Sequence, residues 1–372
     1  MKVLFCGGGT AGHISPAIAI AEEILRRYPQ SSICFIGRDG GEENYAITKA
    51  GYTMKTIRVY GFDRKISLKN AKCVFIAVKA FFSAKRQLKE TKPDIVVGTG
   101  GYVCLPVIRA AQALKIPTVI HESNAVAGLS TRLVAPGCNR VFLNFDSCKK
   151  TLKAHDNVIT VGNPIKREFF ELSHSSARAR LGIPEEAFSI VSFGGSLGAE
   201  RLNEACIFLM KEYSLKNPSV HHTHAVGRRY YEKIKNAYPE LCSGNGRVKI
   251  VPYIENMPQR LAASDTVICR SGAMTVSEIC ATGSPSILIP SPNVTDNHQY
   301  KNAKLLNDSG AALLIEENKL SAEVLIKTVE KIRSSASLRL KMRASIKKFS
   351  SKNAAEKIVK EIGQILGEST EK

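Results

Sequence analysis

Nothing in the 372-residue sequence is long and apolar enough to suggest a bilayer span. A spanning helix needs roughly 20 apolar residues, and the longest apolar stretch, Cys73 to Phe82, is shorter than that and broken by Lys79. The N-terminus offers only Val3-Leu4-Phe5-Cys6 before a glycine run, too little for the apolar region of a signal peptide. The chain is therefore expected to be neither exported nor transmembrane. Its ten cysteines form no CxxC pair, and Cys6, Cys34 and Cys269 sit inside apolar runs. They read as small buried hydrophobes in a reducing, cytoplasmic compartment. No DxD triplet occurs, so the usual acidic grip on a divalent ion bridging a diphosphate is missing. Acidic residues are short altogether, 33 against 53 basic ones, for a net charge of +20. Such an excess points to an anionic partner, which could be nucleic acid, a phosphorylated substrate or an acidic membrane surface.

What is present is a rhythm. Short β-branched runs alternate with helical patterns: "KVLF", "ICFIG", "TMKTIRV", "DIVVG", "PTVIHE" and "RVFLNF" in the first half, with a long helix expected from about Leu68 to Lys89. Strands that are apolar throughout, each followed by a helix, argue for a parallel sheet covered on both faces, the doubly wound α/β arrangement. The rhythm relaxes around residues 163 to 190 and restarts with "SIVSFGGSLGAERLNEACIFLM", followed by "VKIVPY", "TVICRSG", "PSILIP" and "AALLIEE". The expectation is two similar lobes, 1–163 and 164–349, facing a cleft. A last amphipathic helix, Ala354 to Leu366, closes the fold.

Three glycine turns stand between an apolar strand and a helix: Gly7 to Gly12, Gly98 to Tyr102, and Gly194 to Gly198. Such turns present backbone N–H groups and a helix N-terminus to an anion. A dinucleotide cofactor is disfavoured. "ICFIG" ends in Gly37-Arg38 where a ribose-binding acid is expected. His13, at the tip of the first turn, is either a capping or packing histidine or a general base kept neutral by the helix start. His121-Glu122-Ser123-Asn124 ends another buried strand and offers a second candidate base. Glu278, one to two turns into the helix after Ser271-Gly272, is either a surface glutamate or an acceptor for a sugar diol. His221-His222-Thr223-His224 puts His222 and His224 on one strand face, but no carboxylate or cysteine stands near, so no metal is expected. Between Arg58 and Lys92 there are ten basic residues and two acids. On the helix there, Val74, Phe75, Val78, Phe81, Phe82 and Leu88 form an apparent core face. Ile76, Ala77, Ala80 and Ala84 make a second apolar strip, with Lys72, Lys79 and Arg86 as a basic line between them. That pattern fits a helix lying on an anionic membrane as well as a buried helix with a solvated edge. The basic segment has its own apolar strips and the sequence carries no recognition-module signature, which disfavours nucleic acid.

In order, "GGGTAGHISPA", "GTGGYV", "HESNAVAGLSTRLVAP", "GNPIKRE", "FGGSLGAERLNE", "YIENMP", "CRSGAMTVSEICATGSPSILIP" and "DNHQYKNA" resemble the MurG family of bacterial cell-wall glycosyltransferases, from the N-terminus to about residue 315. The resemblance implies a GT-B fold, two Rossmann-like doubly wound domains facing a deep cleft, with the segment from about 350 to 372 crossing back to the first. It implies inverting transfer of N-acetylglucosamine from UDP-N-acetylglucosamine to the 4-hydroxyl of undecaprenyl-diphosphate-N-acetylmuramyl-pentapeptide, with no cofactor and no essential metal. Related GT-B enzymes, a diacylglycerol glycosyltransferase or a UDP-N-acetylglucosamine 2-epimerase, are the alternatives.

By motif position, Thr10, Ala11 and Gly12 should face the donor sugar and diphosphate, Asn124 the sugar, and Lys166 and Ser196 the phosphates. Ile254 should meet uracil through its backbone. Ala273, Met274, Thr275, Val276, Ser277 and Glu278 should surround the nucleoside, with Glu278 on the ribose, and Gln299 should hold sugar hydroxyls. His13 is the first choice as base, with Glu122 orienting it or acting as base itself; Lys72, Ile76, Lys79 and Arg86 would meet the membrane. Lys166 stands where arginine is usual, Ser123 and Leu197 replace glutamines, and Ala11 replaces a glycine. The resemblance also implies a peripheral place on the cytoplasmic face of the plasma membrane, among cell-wall synthesis and division proteins, with no nucleic-acid partner.

Overall fold

The apolar runs become strands buried on both faces. The computed structural model describes residues 1–8, 11–41, 43–60, 68–152, 156–195, 198–243, 246–294 and 297–367, save the side chains of residues 11, 43 and 68–75. The strands are β1 (Lys2–Cys6), β2 (Ser32–Arg38), β3 (Thr53–Ile57), β4 (Ile95–Gly98), β5 (Thr118–Glu122), β6 (Arg140–Leu143), β7 (Val158–Thr160), β8 (Phe188–Phe193), β9 (Val220–Ala225), β10 (Val248–Val251), β11 (Thr266–Cys269), β12 (Ser286–Leu288) and β13 (Ala312–Leu314). They form one seven-stranded sheet, β3-β2-β1-β4-β5-β6-β7, and one six-stranded sheet, β10-β9-β8-β11-β12-β13. Every pairing is parallel, as near-continuous apolar strands predict.

The chain divides into a first unit, Met1–Lys166 with Asn353–Lys372, and a second, Arg167–Lys352. The first unit runs a little past residue 163 because Lys166 pairs with Glu22 at 2.9 Å. The terminal helix Ala354–Ile365 joins it by burying Ile358, Val359 and Ile362 among Ile14, Ile20, Ile24 and Phe35, and through Arg140 Nε to Glu361 Oε2 at 2.9 Å.

The helix Leu68–Thr91 turns its core face part-way from the expected one, keeping Leu88 and Phe81 inward and putting Val78 and Phe82 outward. Ala80, Ala84 and Leu88, four residues apart, are buried against Cys104, Val107 and Ile108, while Val78 and Phe82 are 49% and 61% exposed beside exposed Lys79 and Arg86. Small side chains let this helix approach its neighbour closely, so Ala80 and Ala84 join Leu88 on the core face. Phe81 is part-buried with its ring 5.3 Å from that of Phe82, and Ile76 is half-buried. The side chains of Lys72, Val74 and Phe75 lie outside the described residues.

The histidines of β9 are explained by serines distant in sequence. Ser192 Oγ lies 2.8 Å from both His222 Nε2 and His224 Nδ1, and Ser214 Oγ lies 3.0 Å from His222 Nδ1. These imidazoles are fully buried. Desolvation takes the pKa of His224 down to about 4 and that of His222 well below the ordinary value.

Candidate active site

In each sheet the chain reverses its direction of winding at one place, between β1 and β4 in the first and between β8 and β11 in the second. Ligands of doubly wound sheets bind at the carboxyl ends of the strands at such points. Both places carry the glycine turns.

In the first unit, Gly7-Gly8 after β1 packs against Gly98-Thr99-Gly100-Gly101 after β4. Thr99 Oγ1 donates to the His13 carbonyl at 2.6 Å. Gly100 and Gly101 have φ of 103° and 83°, and a Cβ on Gly100 would lie 2.7 Å from His13 Cδ2, while one on Gly101 would overlap the Gly8 carbonyl. Only glycine fits there, and its absence of side chain seats the half-buried His13 ring on the second turn. His13 is the third residue of the helix Ala11–Arg27, and Gly12 beside it is half-buried. Thr10 and the side chain of Ala11 lie outside the described residues.

Glu122 has a different task from the one expected. Oε1 accepts from Asn124 N at 3.0 Å and Asn124 Nδ2 at 2.9 Å; Oε2 accepts from Gly128 N at 3.0 Å and Thr131 Oγ1 at 2.7 Å. Four donors occupy both oxygens of a carboxylate that is 4% exposed, so Glu122 neither orients His13 nor presents a lone pair to a substrate hydroxyl. It shapes the loop after β5 and points the Asn124 side chain. Glu122→Gln turns one acceptor into a donor facing donors, and should cost about 1–3 kcal/mol in urea unfolding. A free general base would instead lose turnover with stability intact. His121 is also removed from the chemistry: its Nε2 meets Gly162 O at 3.0 Å, and burial takes its pKa down to about 4. Thr131 and Gly128 were not singled out from the sequence, although both lie inside the quoted "HESNAVAGLSTRLVAP".

In the second unit, Gly195 and Gly198 have φ of 91° and 73°, and a Cβ on Gly198 would overlap the Val226 carbonyl. Ser196 and Leu197 lie outside the described residues. After β11, Gly272 caps the helix Ala273–Thr282. Ala273, Met274 and Val276 bury their side chains and Thr275 is half-buried, so a ligand at this helix start meets backbone more than side chains. Ser277 Oγ donates to Ala273 O at 3.0 Å. Glu278 is recessed, and its carboxyl group has no hydrogen-bond or ionic partner among the described residues; burial raises its pKa to about 8. Such a group is poised for donors supplied from outside.

The surrounding frame is stiff. Ser271 Oγ donates to Gln299 O at 2.9 Å, and Asn302 Nδ2 donates to Ser271 O at 3.1 Å. Gln299 Oε1 accepts from Ser291 N at 2.9 Å, which leaves its NH2 end as the donor for a ligand. Arg270 bridges Ile289 O at 3.1 Å and the Glu317 carboxylate. Asn302 and Arg270 were missed in the sequence; Asn302, three residues after Gln299, shares its helix face. Ile254 buries its side chain, while neither its N–H nor its C=O bonds to another described backbone group.

Among known proteins, the glycosyltransferase family 28 N-terminal domain matches residues 3–143, and the glycosyltransferase family 28 C-terminal domain matches residues 189–361. A relative from Thermoanaerobacter sp. (strain X514), named UDP-N-acetylglucosamine–N-acetylmuramyl-(pentapeptide) pyrophosphoryl-undecaprenol N-acetylglucosamine transferase, is 42% identical over 366 residues, covering 98% of this chain and 100% of its own. A relative of the same name from Leuconostoc mesenteroides subsp. mesenteroides is 38% identical over 368 residues, covering 99% and 100%. The crystal structure of Acinetobacter baumannii MurG superposes with a TM-score of 0.73 at 28% identity, covering 98% of this chain and 99% of that one. A UDP-GlcNAc 2-epimerase from Neisseria meningitidis, at 16% identity and a TM-score of 0.64 over 98% of this chain and 100% of that one, shares the fold alone. With two parallel-sheet units of the GT-B kind and end-to-end likeness to these transferases, the chain belongs to glycosyltransferase family 28 and, within it, to the MurG family.

Proposed function

We propose that this chain moves N-acetylglucosamine from UDP-N-acetylglucosamine to the 4-hydroxyl of undecaprenyl-diphosphate-N-acetylmuramyl-pentapeptide, with inversion at the anomeric carbon. The observation that carries this reading is the 42% identity, over 98% of the chain, to a relative named for that transfer. The recessed carboxyl group of Glu278 beyond the β11 strand end, without a partner among the described residues, supports it independently, because a ribose diol supplies two donors to such a group.

Transfer needs one contribution from each unit. From the second comes the grip on the donor: Glu278 on the ribose, the Ile254 backbone on the base, the Gln299 NH2 on sugar hydroxyls, and the start of the helix Ala273–Thr282, with Ser196, on the diphosphate. A helix start stabilises the charge that develops as the C1–O bond to the diphosphate breaks. From the first comes the attack. His13 takes the proton of the muramyl 4-hydroxyl, whose oxygen forms the new bond to C1 on the face opposite the departing UDP. Thr10, Ala11 and Gly12 line the approach, Asn124 offers its Oδ1 to the sugar, and Lys166 lends a positive charge to a phosphate. No bound metal is required in this scheme. Purified protein given labelled UDP-N-acetylglucosamine and the lipid-linked muramyl-pentapeptide should yield a lipid-linked disaccharide. Label in diacylglycerol instead, or conversion of the donor to its 2-epimer, would overturn the reading.

The acceptor's lipid calls for a peripheral position on the cytoplasmic face of the membrane, where cell-wall synthesis and division proteins would be its neighbours. The outward face of the helix Leu68–Thr91, with Val78 and Phe82 beside Lys79 and Arg86, suits an anionic bilayer surface. At about 1 kcal/mol per basic residue near such a surface, Lys79→Glu with Arg86→Glu should weaken binding to phosphatidylglycerol vesicles by roughly thirtyfold or more. Binding of UDP-N-acetylglucosamine should not change. Equal vesicle binding before and after would remove this face from the account.

A further inference from the structure

The polar residues of β9 and β10 fall into two sets. On one face of the sheet His222 and His224 are satisfied by Ser192 and Ser214. On the other, His221, Thr223 and Lys249 line a cavity of about 140 Å3 together with Ser189 and Arg260. Ser189 pairs with His221 and Lys249 with Thr223 across neighbouring strands, so these side chains converge on one patch. The patch lies near the amino ends of the strands, away from the glycine turns at their carboxyl ends. A buried parallel sheet is normally apolar here.

The charge in this cavity is one-sided. No acidic side chain lines it among the described residues. Arg247 is committed, donating to the carbonyls of Ser214, Leu215, Asn217 and Val220 at 2.6 to 3.0 Å. Nearby Arg178 is likewise held by Asp265 at 2.9 Å. Among the described residues Lys249 and Arg260 have no such commitments, and Arg260 Nε is a buried atom without a hydrogen-bond partner there. Burial, then Arg260, lowers the proton affinity of Lys249; burial, then Arg247, Arg178 and Arg260, lowers that of His221. Uncompensated cations in a recess destabilise the fold, and an entering anion relieves them. The volume is about tenfold what one water needs, and hydroxyls at Ser189 and Thr223 add donors to the cationic ones.

We propose that this cavity is an anion site, separate from the nucleotide-binding end of the second unit, that takes a soluble phosphoryl group of the size of inorganic phosphate or diphosphate. Lys249 and Arg260 supply the charge, and Ser189, His221 and Thr223 complete the hydrogen bonding.

The test is thermal unfolding of the full chain in increasing inorganic phosphate, with ionic strength held constant by chloride. The wild type should show a saturable rise in Tm. Lys249→Gln and Arg260→Gln should each unfold at higher temperature than the wild type without phosphate, and bind phosphate at least tenfold more weakly, as the loss of a charged hydrogen bond implies. Both should keep transferase activity, which reports that they fold. Phosphate held at the donor end would act equally on wild type and variants. That result, or a rise no larger than with chloride alone, would overturn the proposal.

Discussion

His13→Ala is expected to slow transfer to the lipid-linked acceptor by roughly a hundred- to ten-thousandfold, the usual contribution of a positioned general base. The fold should survive. Thr99 holds the carbonyl of residue 13, a bond that alanine keeps, and the ring rests on glycine backbone rather than filling the core. The proposed grip on UDP comes from residues of the second unit, so affinity for UDP should stay within about twofold, inside the spread expected of a substitution that touches none of them. The loss should therefore appear in kcat, measured by release of UDP under saturating donor and acceptor. A variant that transfers at the wild-type rate would remove the imidazole from the chemistry and leave His13 as a packing residue.

Glu278→Gln is expected to have two opposite effects. Hydrogen bonds to a charged group are worth about 1.5–3 kcal/mol, so UDP should bind roughly ten- to 150-fold more weakly to the variant in titration calorimetry. Stability should move the other way. The folded-state pKa of about 8 lies above the ordinary carboxyl value, so the folded protein holds the proton more tightly than the unfolded chain does. This contribution to stability is complete below the unfolded pKa and is lost as pH rises through about 8. Replacing the carboxyl group by an amide removes that loss, and the variant should be the more stable protein at pH 8 in urea. A ribose diol favours the ionised form, so UDP binding to the wild type near pH 7 should release protons and tighten as pH approaches 8. The variant should show neither effect. Unchanged affinity in Glu278→Gln would mean that the nucleoside lies elsewhere.

The sheets were legible because parallel strands are buried on both faces and their sequences say so without ambiguity. The strand Val158–Thr160 was not, being three half-buried residues beside polar Asp156 and Asn157. The helix Leu68–Thr91 is apolar on two sides, and nothing within it says which side meets the core. That was decided by Cys104, Val107 and Ile108 of a neighbouring helix, against which alanines fit. Sequence spacing likewise placed Glu122 at a strand end but could not show that Gly128 and Thr131 consume its lone pairs. His222 and His224 read as one strand face without a metal, but the spacing could not show that Ser192, 30 and 32 residues away, bonds both rings. Glu278 was legible as a position and not as a state, since its raised pKa depends on what surrounds the helix.

The central claim is direct, metal-independent transfer with inversion, and one measurement tests it most directly. The protein is incubated with UDP-N-acetylglucosamine, whose sugar is α-linked, and the lipid-linked muramyl-pentapeptide in excess EDTA, and the linkage of the product is read by NMR. The account predicts a β-linked disaccharide on the muramyl 4-hydroxyl, formed at the same rate as without chelator. An α-linked product, or none until a divalent cation is restored, would contradict it.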